Sequence, residues 1–159
     1  MKIIEDKYFF NSLLDEIEEI VGNRMSRNDK LSAVCELLRK NVKHYNWVGF
    51  YIADNSTRKL SLEHFSGEPT EHTKIDFGEG ICGQSAQTKN IFVVQDVSKE
   101  TNYLSCSPNV KSEIVLPIFK NEQIVGELDI DSHFISPFTD EDKIFLEKVC
   151  RIVSHLFEQ

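Results

Sequence analysis

Ser112-Glu113-Ile114-Val115-Leu116-Pro117-Ile118-Phe119-Lys120-Asn121-Glu122-Gln123-Ile124-Val125-Gly126-Glu127-Leu128-Asp129-Ile130-Asp131 reads as two strands, about 112–119 and 124–131, joined by a tight turn. Ile114, Leu116 and Ile118 share one face of the first strand; Ile124, Gly126, Leu128 and Ile130 share one face of the second. Both sets must reach one core, so paired residue numbers must sum to an even number. An odd-length loop of Asn121-Glu122-Gln123 provides this. The register then pairs Ile118 with Gly126 and Leu116 with Leu128. It also sets Glu113 opposite Asp131 and Val115 opposite Asp129, crowding three carboxylates on the non-core face. Like charges directly opposite on a sheet are destabilising. The trio is therefore either a solvated sheet face or a pocket for a cationic group, with at least one carboxyl kept protonated by its neighbours.

Working outward, residues 47–53, 58–65 and 91–94 also read as strands, with Asn55-Ser56-Thr57 a turn between the first two. In Asn46-Trp47-Val48-Gly49-Phe50-Tyr51, Val48, Phe50 and Ile52 alternate toward the core. Trp47 and Tyr51 fall on the other face with Gly49 between them. That face is either covered by a helix or loop, or forms an apolar slot for a methyl or thioether group.

Helical spacing covers about 3–22 (Phe10, Leu13, Leu14, Ile17, Ile20, Val21), ending near Gly22-Asn23. A second helix begins at Asn28 or Asp29 and runs to about 43, with Leu31, Val34, Leu38 and Val42 on one stripe that Cys35 and Leu37 widen. A third, 140–158, is entered through Thr139-Asp140-Glu141-Asp142 and faces the core with Ile144, Phe145, Val149, Ile152, Val153 and Leu156. Gly78-Glu79-Gly80 opens a short helix to about 89, and 95–111 is a long polar loop of the kind that carries function. The expected class is α+β: a central, mostly antiparallel sheet with the N- and C-terminal helices on one face and loops and a short helix on the other.

The 159 residues make one domain, 1–159, with about 1–28 as an N-terminal helical extension. A net charge of −8 argues against nucleic acid or an anionic membrane as partner, because both reward clustered Lys and Arg. No apolar run approaches the roughly 20 residues that span a bilayer. Met1-Lys2-Ile3-Ile4-Glu5-Asp6 lacks the apolar core of a secretion signal, so a cytoplasmic location is expected.

The four cysteines, Cys35, Cys82, Cys106 and Cys150, form no C-x-x-C pair, and the five histidines are scattered, so no metal site is expected. Cys35 and Cys150 sit on helical core stripes as small hydrophobes. Cys106 lies in the long loop, seven residues before Glu113. Cys82, in Gly80-Ile81-Cys82-Gly83, sits where a helix N-terminus could lower a thiol pKa.

Taken in order, Asn46 to Tyr51, Gly80 to Gly83, Cys106 with Ser112 to Pro117, and Gly126-Glu127-Leu128-Asp129-Ile130-Asp131-Ser132 resemble the free methionine-(R)-sulfoxide reductases. These are GAF-domain enzymes that reduce free rather than peptide-bound methionine sulfoxide. The likeness spans about residues 30–155 and implies a GAF-like fold. By position it implies Cys106 as the catalytic cysteine and Cys82 as a second characteristic cysteine, the in-chain candidate for a resolving thiol. It implies Glu113, Asp129 and Asp131 as substrate-holding acids, Glu113 also as proton donor, and Trp47 and Tyr51 as pocket aromatics. A thioredoxin-like dithiol would be the reductant, with no metal or organic cofactor. The amphipathic first helix could serve a homodimer. Two positions depart from the family: His72 stands where a further cysteine is usual, and Ser107-Pro108-Asn109-Val110 follow Cys106 where an aspartate and small residues are more common. The alternatives are a non-catalytic GAF sensor that binds a small ligand and a thiol-based redox switch.

Overall fold

The computed structural model describes residues 2–104 and 107–157, with side chains from residue 7 onward. Cys106, and with it the expected nucleophile, lies outside the described residues. Six strands form one sheet: β1 (Trp47–Asp54), β2 (Lys59–Ser66), β3 (Lys74–Asp76), β4 (Phe92–Val94), β5 (Ser112–Lys120) and β6 (Gln123–Ser132). Their order is β3-β2-β1-β6-β5-β4, and every neighbouring pair is antiparallel. Among the described residues four α-helices accompany them: α1 (Lys2–Gly22), α2 (Arg27–Asn41), α3 (Gly80–Thr88) and α4 (Asp140–Val153). β3 is too short to show a period and escapes a reading of the sequence.

The central register is as expected, with Ile118 opposite Gly126, Leu116 opposite Leu128, Val115 opposite Asp129 and Glu113 opposite Asp131. The turn that produces it differs. Asn121 and Glu122 alone form the loop, both at positive φ (52° and 66°), as the hairpin turn matching strand twist requires. Lys120 pairs with Gln123 and Phe119 with Ile124, and the register then shifts between Ile118 and Phe119. Val125 is thus the extra residue of a β-bulge. The bulge restores the parity that a two-residue turn would break, and it sends Ile124 to the face opposite Gly126, Leu128 and Ile130, where it packs with Trp47 and Tyr51.

The first core lies between the sheet and α1, α2 and α4, and contains Val48, Phe50, Ile114, Leu116, Ile118, Leu128 and Ile130 with Leu13, Ile17, Leu31, Leu38, Phe145 and Val149. Ser26, not Asn28 or Asp29, caps α2 by accepting from the Asp29 backbone N–H at 3.1 Å. Thr139 and Asp142 form a reciprocal capping box at α4. Buried Asp142 also accepts from Tyr45 Oη at 2.6 Å and pairs with His44 Nε2 at 2.8 Å. Burial pushes its carboxyl upward, but His44, the Thr139 backbone N–H and Tyr45 together hold it below the ordinary range. α4 stops at Val153 and tightens into a 3₁₀ turn, Ser154–Leu156, short of the expected 158. Ile144 is 47% exposed, because the stripe that faces the sheet runs through Phe145, Leu146, Val149 and Val153. Among the described residues no helix is long and apolar enough to cross a membrane.

The other face of the sheet is also covered. α3 and its flanking loops pack over a second core of Trp47, Tyr51, Leu60, Ile75, Ile81, Ala86 and Val115. The carboxylates expected on a non-core face therefore sit inside the protein.

Candidate active site

Strand alternation brings the odd-numbered side chains of three adjacent strands under α3. Across β1 and β6, Trp47 pairs with Asp131, Gly49 with Asp129 and Tyr51 with Glu127. Glu113 and Val115 complete the row from β5. Glu113 is 5% exposed, Asp129 and Asp131 1% and Glu127 0%, which removes the solvated-face alternative. Glu127 is a fourth acid that the reading of the sequence left out, although it is two residues from Asp129 on the same alternating strand and so had to share its face.

The short helix is fitted to this row by its glycines. Gly80 has a φ of +64°, and a Cβ at Gly83 would stand 2.4 Å from the Asp76 carbonyl oxygen, so α3 can cross β3 only with glycine there. Asn102 anchors the long loop to the helix start: its Oδ1 accepts from Gly80 N at 2.8 Å and its Nδ2 donates to Gly78 O at 2.9 Å. This placement aims the Cys82 thiol at the acids, 3.9 Å from Glu113 Oε2.

The helix N-terminus does not lower the Cys82 pKa. Burial pushes the thiol well up, and Asp129, Glu113 and Glu127 push it further. Glu127 is raised well above its ordinary value by burial and then by Asp129. The Cys82 thiol and Ser85 hydroxyl offset part of that rise, although Ser85 Oγ already donates to Asn90 O at 2.6 Å. Neither Glu127 oxygen has a hydrogen-bond partner. Asp129 is raised by burial, partly offset by hydrogen bonds with Glu113 and Cys82, and its Oδ1 has no partner. Cys35 and Cys150 are buried, with thiols pushed up by desolvation, in keeping with packing roles.

The notch expected beside Gly49 is filled by Trp47's own indole. A Cβ on Gly49 would lie 2.4 and 2.6 Å from two of its ring carbons. The ring stacks on Phe65 with centroids 5.7 Å apart and donates Nε1–H to Glu68 O at 2.9 Å, so it cannot easily move. Gly49→Ala is expected to cost roughly 1–3 kcal/mol by overpacking and to red-shift the emission of Trp47, the sole tryptophan. Thermal unfolding followed by fluorescence checks both; unchanged values would show that the ring is free to move.

Two small chambers adjoin the acidic row. One, about 10 Å³, is lined by Tyr51, His72, Cys82, Leu104, Glu113 and Asp129 among others. The second, about 30 Å³, is lined by Asn46, Trp47, Glu68, Ser107, Asp131 and His133 among others. Leu104 and Ser107, the described residues on either side of Ser105 and Cys106, thus line one chamber each. Tyr51 Oη donates to the backbone oxygen of His72 at 3.1 Å, tying the position of the family's usual cysteine to the same site. Among the described residues, Cys82, Glu113 and Asp129 place their ligand atoms within 4.8 Å of one another, a spacing that can hold a cation. An open groove of about 1070 Å³ between β4 and α4 is lined by none of the expected site residues.

The GAF domain model matches residues 26–156. A Saccharomyces cerevisiae protein named free methionine-R-sulfoxide reductase is 39% identical over 111 residues, covering 69% of this chain and 61% of its own. The Escherichia coli protein of that name is 32% identical over 135 residues, covering 85% and 80%. The solved structure of the Neisseria meningitidis free methionine-R-sulfoxide reductase with its substrate is 31% identical, with a TM-score of 0.87, covering 93% of this chain and 87% of that one.

Proposed function

We propose a function from the premise that this chain belongs to the free methionine-R-sulfoxide reductase family of GAF domains: it reduces free L-methionine-(R)-sulfoxide to methionine. The supporting observation is the buried row of Glu113, Glu127, Asp129 and Asp131 beside the Cys82 thiol, flanked by both ends of the segment that holds Cys106. Four buried acids on one sheet face, with Asp129 Oδ1 and both Glu127 oxygens lacking a hydrogen-bond partner, suit a ligand carrying a cation. A free amino acid has an ammonium group to offer, whereas a peptide-bound residue has lost it.

In this reading the ammonium is held by carboxylates of Asp129 and Asp131, and the methyl sulfoxide end lies toward Trp47 and Tyr51. The Cys106 thiolate attacks the sulfoxide sulfur while Glu113 delivers a proton to the oxygen. The oxygen passes to Cys106, methionine leaves, and Cys106 is a sulfenic acid. A thiol then displaces water to form a disulfide, and an external dithiol such as thioredoxin returns both sulfurs to thiols while becoming a disulfide itself. Cys82 is the in-chain candidate for that step. Because its thiol is held protonated by burial and by three acids, it becomes a competent nucleophile only when the site opens to solvent.

The test is turnover of separated diastereomers with dithiothreitol as reductant, beside a peptide-bound sulfoxide. Reduction of the free R form is the expected result, with the peptide-bound form at least about 100-fold slower, since an unpaired buried carboxylate discriminates by several kcal/mol, and the free S form slower because its oxygen is turned away from the proton donor. Equal reduction of the peptide-bound form, or none of any form, would overturn the assignment.

A further inference from the structure

We infer that Cys82, Glu113 and Asp129 form a binding site for a zinc-class divalent cation, in which the ion takes the place otherwise left to the substrate's positive charge. The three ligand atoms lie within 4.8 Å of one another, on residues that are all buried. Cys82 Sγ and Glu113 Oε2 are 3.9 Å apart. A tetrahedral ion with Zn–S of about 2.3 Å and Zn–O of about 2.0 Å spans roughly 3.5 Å between sulfur and oxygen. A contraction of a few tenths of an ångström therefore closes the edge.

The second observation is independent of the spacing. Asp129 Oδ1 has no hydrogen-bond partner at 1% exposure, and it lines the chamber of about 10 Å³ shared with the other two ligands. Both oxygens of Glu127, two residues away on the same strand, are likewise buried without a hydrogen-bond partner. Buried polar atoms are nearly always hydrogen-bonded or ligated. Orphaned carboxylate oxygens around a thiol are the surroundings that a dication would satisfy. On binding, the ion displaces the Cys82 proton and any proton shared by the two acids. Sulfur in the ligand set selects zinc or cadmium over magnesium or calcium. The chain supplies three ligands, leaving the fourth position to water. The site does not depend on the chain being a reductase, since binding is read without turnover.

The experiment titrates the full chain, reduced and free of substrate, with cadmium alone, following thiolate-to-metal charge-transfer absorption, and with zinc by calorimetry in two buffers of different ionisation enthalpy. One ion per chain with proton release is expected, with no magnesium binding. Cys82→Ser should remove the absorption band and weaken zinc by more than about 100-fold, beyond what loss of an outer-shell partner costs. Cys106→Ser should keep the band, and Asp129→Asn should weaken zinc at least about tenfold. Far-ultraviolet circular dichroism shows whether each variant is folded. Should Cys82→Ser fail to fold, Asp129→Asn and Glu113→Gln report on the same site. A band that survives in Cys82→Ser and disappears in Cys106→Ser overturns the proposal, as does equal binding of magnesium or no binding at one equivalent.

Discussion

Cys106→Ser is expected to lower turnover of free methionine sulfoxide by at least about a thousandfold, the scale on which enzymes lose their nucleophile, while leaving affinity for methionine within about threefold. The reaction needs a thiolate that can accept oxygen from sulfur, and a serine hydroxyl at neutral pH has neither the charge nor the polarisable atom. Affinity should survive because the charge complementarity resides elsewhere, in Glu113, Asp129 and Asp131 on β5 and β6, all at most 5% exposed. Rates of sulfoxide reduction and calorimetric binding of methionine, taken on the same preparations, separate the two effects. Retained turnover would move the nucleophile to Cys82. Cys82→Ser is the companion measurement: it should leave a single turnover intact and slow only the repeated cycle with a protein dithiol, because its proton is held by burial and by Asp129, Glu113 and Glu127.

Glu127→Gln is expected to stabilise the protein, and to do so more as pH rises. The Glu127 carboxyl is completely buried and raised well above its ordinary value of 4.5 by desolvation and by Asp129. Above that ordinary value the unfolded chain has given up this proton while the folded chain still holds it. The native state then binds more protons, so stability falls with pH, by up to about 1.4 kcal/mol per pH unit for one such group. The loss continues until the folded pKa is passed. Glutamine keeps the shape of the protonated acid and has no proton to lose, so the variant should match the wild type near pH 4.5 and gain on it toward pH 8. One unit's worth, about 1.4 kcal/mol, corresponds to roughly 3–6 °C in melting temperature for a domain of this size. Thermal unfolding across that range measures the gap directly. A gap that stays constant or narrows would mean that Glu127 is ionised in the folded protein.

Much of this architecture was legible before any coordinates. Period-two alternation placed Ile114, Leu116, Leu128 and Ile130 on one face and Glu113, Asp129 and Asp131 on the other, because side-chain parity along a strand is a local property. The same parity contained Glu127, which went unnoticed because a single acid between Gly126 and Leu128 looks like surface. Reading the hairpin as a three-residue loop reached the correct register for a different reason from the real one. A two-residue turn and a bulge at Val125 give the same sum, and Ile124 and Val125, which exchange faces, reveal the difference. Ile144 looked like core because helical periodicity fixes a stripe only to within about one residue, and the position of the sheet decides which edge is covered.

The sequence by itself determined the longer helices and strands, the central register and the face that three acids and two aromatics take on their strands, since each follows from backbone periodicity and the need for one shared core. Tertiary structure alone decided the electrostatic character of the site. α3, admitted over β3 by Gly83, removes water from the acidic row, and that desolvation raises Glu127, Asp129 and Cys82. The Cys82 thiol, which a helix N-terminus alone would have made more acidic, becomes less so because burial, reinforced by Asp129, Glu113 and Glu127, outweighs the dipole of a nine-residue helix. Local chemistry assigns which groups are present; the dielectric around them depends on what the whole chain folds over them.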